Sequence, residues 1–501
     1  MSSIRVTYTG LIAFVVGLSS VFTGFIFTLI VTRQLTPDEF GTWSIIGVLI
    51  GYVLILGPVV NYWNTREIAR GIESGKTGFL SSNIFSMVAI LIYLVIAYFY
   101  TSQGEIDEKI LFFAAILIPT EFIRNSLAAI AVGYKPQKTE YGFIVFEASK
   151  IPAALVLVYF LEMGLEGVII ATVIASVANI IFLLVSIPEK LKGKFQLKFL
   201  KKWLKLSLIP TYPNLRNMIL DSDIIVFSVL TGSLIGVAYW SAAKAISRTV
   251  RHSIKINVAL YPKLLAGGRK EHLEENFIKF LYFAFPLSAL SITFAKPGMF
   301  ALNPLYQIAF PIIIFMVPLI FVRQLGILFE TSLLSLEKVD VNENSTFKDY
   351  LKSKLFYLPT LGIIQRGGYI VSLFLILMFL ISSEHTDVDL VIYWSIIGLA
   401  AEVPYTAYLY HLVRKEFSPR IDKKALAKYF GASIIIFGLV YQLIDEYLVY
   451  KDSIFEFLPE LIIFLILGVG GYLAITYLID KRTRTLFNAI INEIKQKKGS
   501  D

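Results

Sequence analysis

The sequence predicts an all-α integral membrane protein with about fourteen transmembrane helices. Apolar runs close to the ~20 residues that a bilayer demands recur along the whole chain. Of its 501 residues, 56% are hydrophobic, and the mean hydropathy is +0.70. A soluble chain of this length does not have that balance. The segments between the runs also alternate in charge, as connections on opposite sides of a membrane do.

Taken in order, the first run, near 9–32, is too long for the apolar core of a cleavable signal peptide. A turn at Leu35–Ser44 opens the second, 41–61. Basic Arg66–Lys76 leads to 80–101, and acidic Glu105–Glu108 leads to 110–133. Lys135–Lys138 precede 141–161, and Glu162–Glu166 precede 164–187. The Lys-rich segment Glu189–Lys205 introduces 204–230, and a tight external turn leads on to 236–259. Lys263–Lys279 introduces 276–296, which is followed by 308–334. Lys338–Lys354 introduces 355–382, and Glu384–Asp389 introduces 390–413. Arg414–Lys428 introduces 427–446, and Asp445–Glu460 introduces 457–479. The seventh and eleventh runs are the most polar.

The positive-inside rule puts the Lys- and Arg-rich set, with the tail from Lys481, in the cytoplasm. Both termini are then cytoplasmic, in a multi-pass protein of the cell membrane. The net charge of +9 is thereby a signal of topology, and nucleic acid is not an expected partner. The sequon Asn344-Ser345-Thr346 falls on the cytoplasmic side and is expected to be unused. The absence of cysteine excludes disulfides, iron–sulfur clusters and thiolate chemistry. With every loop short, function is expected inside the bundle.

A repeat is visible. Leu35-Thr36-Pro37-Asp38-Glu39-Phe40-Gly41 and Leu230-Thr231-Gly232-Ser233-Leu234-Ile235-Gly236 match in Leu, Thr and Gly at a common offset of 195 residues. Six runs precede the basic segment at 189–205 and a second six end near 413. This suggests two six-helix lobes as parallel repeats, 1–195 and 196–420, with two further helices and a tail in 421–501. Lobes so related bind substrate between them and expose it to one side at a time.

Ionisable residues inside the runs cost about 2.5–3.5 kcal/mol each on the insertion scale and so mark function or pairing. Lys244, Arg248, Arg251 and Lys255 recur at i, i+4, i+7 and i+11, a sector of roughly 60° on an α-helix. Such a face must meet water, protein or an anion. The first lobe has Leu49, Val53, Leu56 and Val60 at the same offset, so the repeat is asymmetric in charge. Asp221 and Asp223 in the seventh run are candidate counter-ions or coupling sites. Glu121 with Arg124, and Glu147 with Lys150, are spaced for local i,i+3 pairing, although Lys150 is also a candidate for lining the cavity. Arg323 and Glu330 have no evident local partner, and Glu402 suits packing or pairing. Pro210 and Pro213 free backbone carbonyls of the seventh run, which makes them a candidate hinge.

The hairpin Asp221-Ser222-Asp223-Ile224-Ile225, Gly236-Val237-Ala238-Tyr239-Trp240-Ser241-Ala242-Ala243 and Ala259-Leu260-Tyr261-Pro262-Lys263 resembles the polysaccharide-biosynthesis (Wzx-type) flippases. These belong to the multidrug/oligosaccharidyl-lipid/polysaccharide (MOP) exporter superfamily. Leu35–Ser44 is similar to that family's L-G-P-x-E-F-G turn, with Thr36 in place of the first Gly. The resemblance implies a MOP flippase-like fold. It also implies transport of a polyprenyl- or dolichyl-(pyro)phosphate-linked oligosaccharide from the cytoplasmic to the external leaflet, for polysaccharide or glycoprotein assembly. In related lipid flippases a cationic cavity receives the pyrophosphate and the last two spans form a groove for the lipid tail. On that reading Lys244, Arg248, Arg251, Lys255, Arg66 and Arg366 are the candidate phosphate-binding residues, although an Arg at the end of a run, as Arg66 is, also anchors at the interface. The partners are then the lipid-linked oligosaccharide, membrane lipids and glycan-assembly enzymes, with a monomer expected and no cofactor.

Two alternatives stand beside it. A small-molecule or drug antiporter of the same superfamily would more naturally line its first lobe with acids. A membrane glycan polymerase or glycosyltransferase needs carboxylates, His or Arg gathered on an ordered loop. Here His252, His272, His385 and His411 are scattered and no metal-ligand spacing occurs, so no enzyme is expected.

Overall fold

The computed structural model describes residues 23–102, 106–257, 260, 264, 270–337, 339, 347–420, 422–485 and 487–488, and every regular element among them is helical. Ten helices are long and apolar enough to cross a membrane singly: Gly75–Thr101, Glu108–Tyr134, Gln137–Phe160, Gly164–Ser186, Glu271–Thr293, Pro311–Leu334, Lys354–Ile381, Asp387–Phe417, Lys423–Tyr447 and Ile454–Ile479. These are the third to sixth and ninth to fourteenth expected spans. An eleventh is a bent pair, Pro37–Leu54 with Pro58–Ala69. The remaining three are the first, described over 23–34, the polar seventh, Leu208–Thr231, and the eighth, which starts at Leu234. The protein is an all-α, multi-pass membrane protein. The sequon at Asn344, the first half of span one and the tail beyond 488 lie outside the described residues.

Two spans depart from the straight α-helices that periodicity predicts. The second extends to Ala69 and bends by 60° at residues 55–57. Pro58 is the first residue of the distal half and has no N–H to continue the ladder. The Gly57 N–H bonds the Leu54 carbonyl at 2.9 Å instead. The eighth is α-helical only over Leu234–Ser247 and continues as a 3-10 helix over Arg248–Asn257. Hydroxyls on this stretch bond the carbonyl three residues back: Thr249 Oγ1 to Ile246 O at 3.0 Å and Ser253 Oγ to Val250 O at 2.7 Å. Side-chain bonds of this kind compete with the α-helical ladder.

The described chain forms two compact units. One holds Thr23–Ser241 and Pro359–Leu390. Within it, the seventh span is tied to the second by Tyr52 OH donating to Ser222 Oγ at 2.8 Å. Tyr100 and Ser228 share a bond of 2.7 Å between the third and seventh spans. Tyr212 and Thr360 share one of 2.6 Å between the seventh and eleventh. The other unit holds Ala242–Leu358 and the described part of Val391–Asp501. Its last two spans pack on the ninth, Lys270–Thr293. Tyr282 meets the rings of Tyr429 and Tyr472 at 5.0 and 5.6 Å, and Tyr472 OH donates to the Tyr282 carbonyl at 2.8 Å.

The two turns that resemble one another in sequence meet in the first unit. Thr36 caps the second span through a reciprocal box with Glu39, whose carboxylate accepts the Thr36 N–H at 2.9 Å. In the other turn Gly232 adopts φ +69°, a left-handed conformation that glycine reaches without cost. Gly41 packs directly on the second turn: a Cβ there would lie 2.2 Å from the Leu234 carbonyl oxygen. The neighbour is backbone and cannot swing away. Gly41→Val is therefore expected to cost about 1–3 kcal/mol and to lower the thermal unfolding midpoint in detergent by several degrees. An unchanged midpoint would contradict the contact.

Candidate functional site

The eighth span carries the cationic residues. Val250, His252, Ser253, Ile256 and Asn257 are buried in the second unit, and Thr249 Oγ1 is 2.6 Å from Ser291 Oγ of the ninth span. With that face docked, Arg248 and Arg251 are turned outward and are exposed, while Lys244 and Lys255 are half-buried. The 3-10 winding changes the expected ladder. At about three residues per turn, Arg248 and Arg251 eclipse one another, and Lys255 is rotated about a third of a turn away. The single α-helical stripe of four thus becomes two arginines one turn apart on one line, flanked by two lysines. Guanidinium groups suit the oxygens of a phosphate, which Arg engages bidentately. Ionisable groups within a span are rarely turned to hydrocarbon, so such a face meets water, protein or an anion.

In the first unit the seventh and eleventh spans form a buried polar seam. Tyr369 OH donates to Asp223 Oδ2 at 3.0 Å, and Asp223 is 4% exposed. Arg366, one turn before Tyr369 on the same helix face, is also buried. Asp221 is half-buried. Arg216 crosses the eleventh span at Gly362, where a Cβ would lie 2.8 Å from its Cδ. Pro210 and Pro213 do not interrupt the helix, which is continuous from Leu208 to Thr231. Local side chains bridge the region: Asn214 Nδ2 donates to Pro210 O at 2.8 Å and Thr211 Oγ1 to Ser207 O at 2.8 Å.

The remaining candidates are distributed over the first unit. Glu121 and Arg124 form an ion pair, with Nε to Oε1 at 3.2 Å. Glu147 and Lys150 are arranged differently from their i,i+3 expectation. Lys150 Nζ lies 3.7 Å from the centroid of Phe27 and 5.3 Å from that of Phe146, while Glu147 Oε2 is buried without a hydrogen-bond partner. The aromatic faces of the first and fifth spans compete for the ammonium. Arg66 is exposed and stacks over Tyr62 at 4.5 Å.

Three features escaped the sequence. A cavity of about 240 Å³ opens at the break in the second span, lined by Leu54, Gly57, Pro58, Asn61, Phe122 and Asn125. The dipeptide Gly57-Pro58 was its only local signal. Glu67 is 3% exposed and accepts from Lys202 Nζ at 3.1 Å. Glu402 is 1% exposed and accepts from Arg323 Nε at 3.3 Å, joining the twelfth span to the tenth. Among the described residues no group of three or more His, Asp or Glu side chains gathers as metal ligands.

No family model matches the chain, and no curated protein matches it in sequence. Solved structures do. An inward-facing multidrug resistance MATE family transporter of the MOP superfamily aligns with 78% of this chain and 94% of its own, at TM-score 0.61 and 13% identity. The lipid II flippase MurJ, in an inward closed conformation, aligns with 93% of this chain and 98% of its own, at TM-score 0.61 and 16% identity. A MOP superfamily transporter from Pyrococcus furiosus, described as having a binding pocket of reverse polarity, aligns with 83% and 96%, at TM-score 0.54 and 15% identity. The chain has the fold of the MOP superfamily transporters.

In this MOP-type fold the Arg323–Glu402 pair lies within one unit, so its energetics can be isolated. Glu402→Ala leaves Arg323 without the carboxylate and is expected to destabilise more than the double variant Arg323→Ala/Glu402→Ala. A double-mutant cycle read by thermal unfolding should give a coupling of about 1–3 kcal/mol. Additive single effects would show that the pair is not a stabilising contact.

Proposed function

We propose that this protein moves a polyprenyl- or dolichyl-(pyro)phosphate-linked oligosaccharide from the cytoplasmic to the external leaflet. It does so by alternating access of two lobes, 1–195 and 196–420. The observation that carries the reading is the outward-facing pair Arg248 and Arg251 on a membrane-spanning hairpin, flanked by Lys244 and Lys255. A pyrophosphate offers several oxygens of diffuse charge, and two guanidinium groups one turn apart match it without demanding a particular glycan. Arg366 and Arg66 extend the cationic set, and Asp221 and Asp223 serve as pairing or coupling acids. Pro210 and Pro213, which withhold N–H groups from a helix that is continuous here, are the proposed hinge of the moving state, and the last two spans of 421–501 receive the lipid tail. Further support is the extent of the fold likeness, since MurJ aligns with 93% of this chain and the inward-facing MATE transporter with 78%.

The drug-antiporter reading shares the fold. The basic character of the exposed eighth-span face disfavours cationic drugs as cargo and favours an anion. The lipid is delivered and consumed on opposite sides of the cell membrane, which fits cytoplasmic termini, glycan-assembly enzymes as neighbours and a monomeric transporter.

The test is transbilayer movement of a labelled lipid-linked oligosaccharide in vesicles. Charge-assisted hydrogen bonds contribute about 1.5–3 kcal/mol each. Arg248→Gln/Arg251→Gln is therefore expected to slow flipping at least about tenfold, with the unfolding midpoint measured alongside so that a folding defect is told apart from lost phosphate binding. Undiminished flipping would sink the phosphate role. Topology has its own check. The chain has no cysteine, so a single one introduced in loop 189–205 should react with a membrane-impermeant maleimide only from the cytoplasmic side.

A further inference from the structure

The segment between the sixth and seventh spans contains a nine-residue helix, Leu197–Lys205, that no span accounts for. At about 100° per residue its side chains fall into three sectors. Lys202, Phe199 and Trp203 make one sector, which is docked on the first unit. Trp203 is fully buried and stacks on Phe199 at 6.0 Å, and Lys202 Nζ reaches buried Glu67 at 3.1 Å. The preceding Gln196 N–H donates to Thr77 Oγ1 at 2.9 Å and fixes the start of the helix. Leu197, Leu200 and Leu204 make a second sector. Leu197 is 51% and Leu204 47% exposed, so this apolar stripe is not covered by the protein. Lys198, Lys201 and Lys205 make the third, and all three are exposed.

A largely exposed apolar stripe next to an exposed lysine stripe, on a helix held by its third face, has the pattern of a helix lying in a membrane interface. The leucines reach the acyl boundary while the ammonium groups stay at headgroup level. Charge complementarity selects the lipid: a juxtamembrane Lys contributes only near anionic headgroups. Lys192 and Lys194, both exposed just upstream, and exposed Phe195 continue the same character.

We propose that Leu197–Lys205 is an interfacial anchor that binds anionic phospholipid headgroups through Lys198, Lys201 and Lys205. The Lys202–Glu67 pair links it to the end of the second span. The anchor is independent of what the protein transports.

The experiment uses the full chain in nanodiscs, with Leu204→Cys carrying a bimane label and Leu197→Cys as a second reporter. Both sites are exposed, and no native cysteine competes. Lipids with brominated acyl chains quench the label where it reaches the hydrocarbon. Quenching is expected to be severalfold stronger in equimolar phosphatidylglycerol and phosphatidylcholine than in phosphatidylcholine alone. Lys198→Gln/Lys201→Gln/Lys205→Gln should abolish that difference at an unchanged unfolding midpoint. Equal quenching in both bilayers overturns the proposal. So does a label that an aqueous quencher reaches equally in both, which would leave the stripe open to a soluble protein instead.

Discussion

A hydrocarbon surround has no water to solvate a charge, and most of what is specific in this structure answers that constraint. Among the described residues, three buried acids of the spans each have a donor supplied by another helix. Glu402 of the twelfth is held by Arg323 of the tenth, and Asp223 of the seventh by Tyr369 of the eleventh. Glu67, at the end of the second, takes an ammonium from outside the spans altogether. These contacts fix which helix faces meet, because each would leave an uncompensated polar group if the helices slid by a turn. Against that background the exposed arginines of the eighth span stand out. Both side chains keep solvent-accessible surface within their unit.

Backbone winding decides how that cationic face is presented. The change from α to 3-10 at Arg248 brings the Cβ atoms of Arg248 and Arg251 onto one line and turns Lys255 aside. The hydroxyls of Thr249 and Ser253 occupy carbonyls that an α-helix would use, and Thr249 also meets Ser291 of the ninth span. The second span deviates in another way, breaking at Gly57-Pro58 and leaving a mainly apolar cavity into which Asn61 and Asn125 also face. Irregular backbone at membrane depth persists where protein surrounds it or a cavity adjoins it. Both deviations occur in the second helix of a hairpin whose turn belongs to the sequence repeat. The repeat therefore preserves the hairpin and lets the two spans diverge.

Much of the architecture was legible in the sequence. The order of the long apolar spans follows from run length, and the ion pair Glu121–Arg124 follows from i,i+3 spacing. The matching turns at Leu35 and Leu230 were recognisable as equivalents. What they share physically, close backbone approach at Gly41 and Leu234, required the structure. Less of the candidate site was legible. Periodicity put four cations on one stripe because it assumed 3.6 residues per turn. Spacing paired Glu147 with Lys150, yet Lys150 chose the rings of Phe27 and Phe146.

By itself the sequence determined that this is a bundle of about fourteen membrane helices with a basic eighth span. Hydrophobic length and charge are properties of each segment and need no neighbour to express them. The tertiary structure alone decided that Glu402 meets Arg323, that Asp223 meets Tyr369, and that Arg248 and Arg251 fall one 3-10 turn apart. Those outcomes depend on which faces of distant helices pack together, and on hydroxyls that rewind ten residues of backbone against the ninth span.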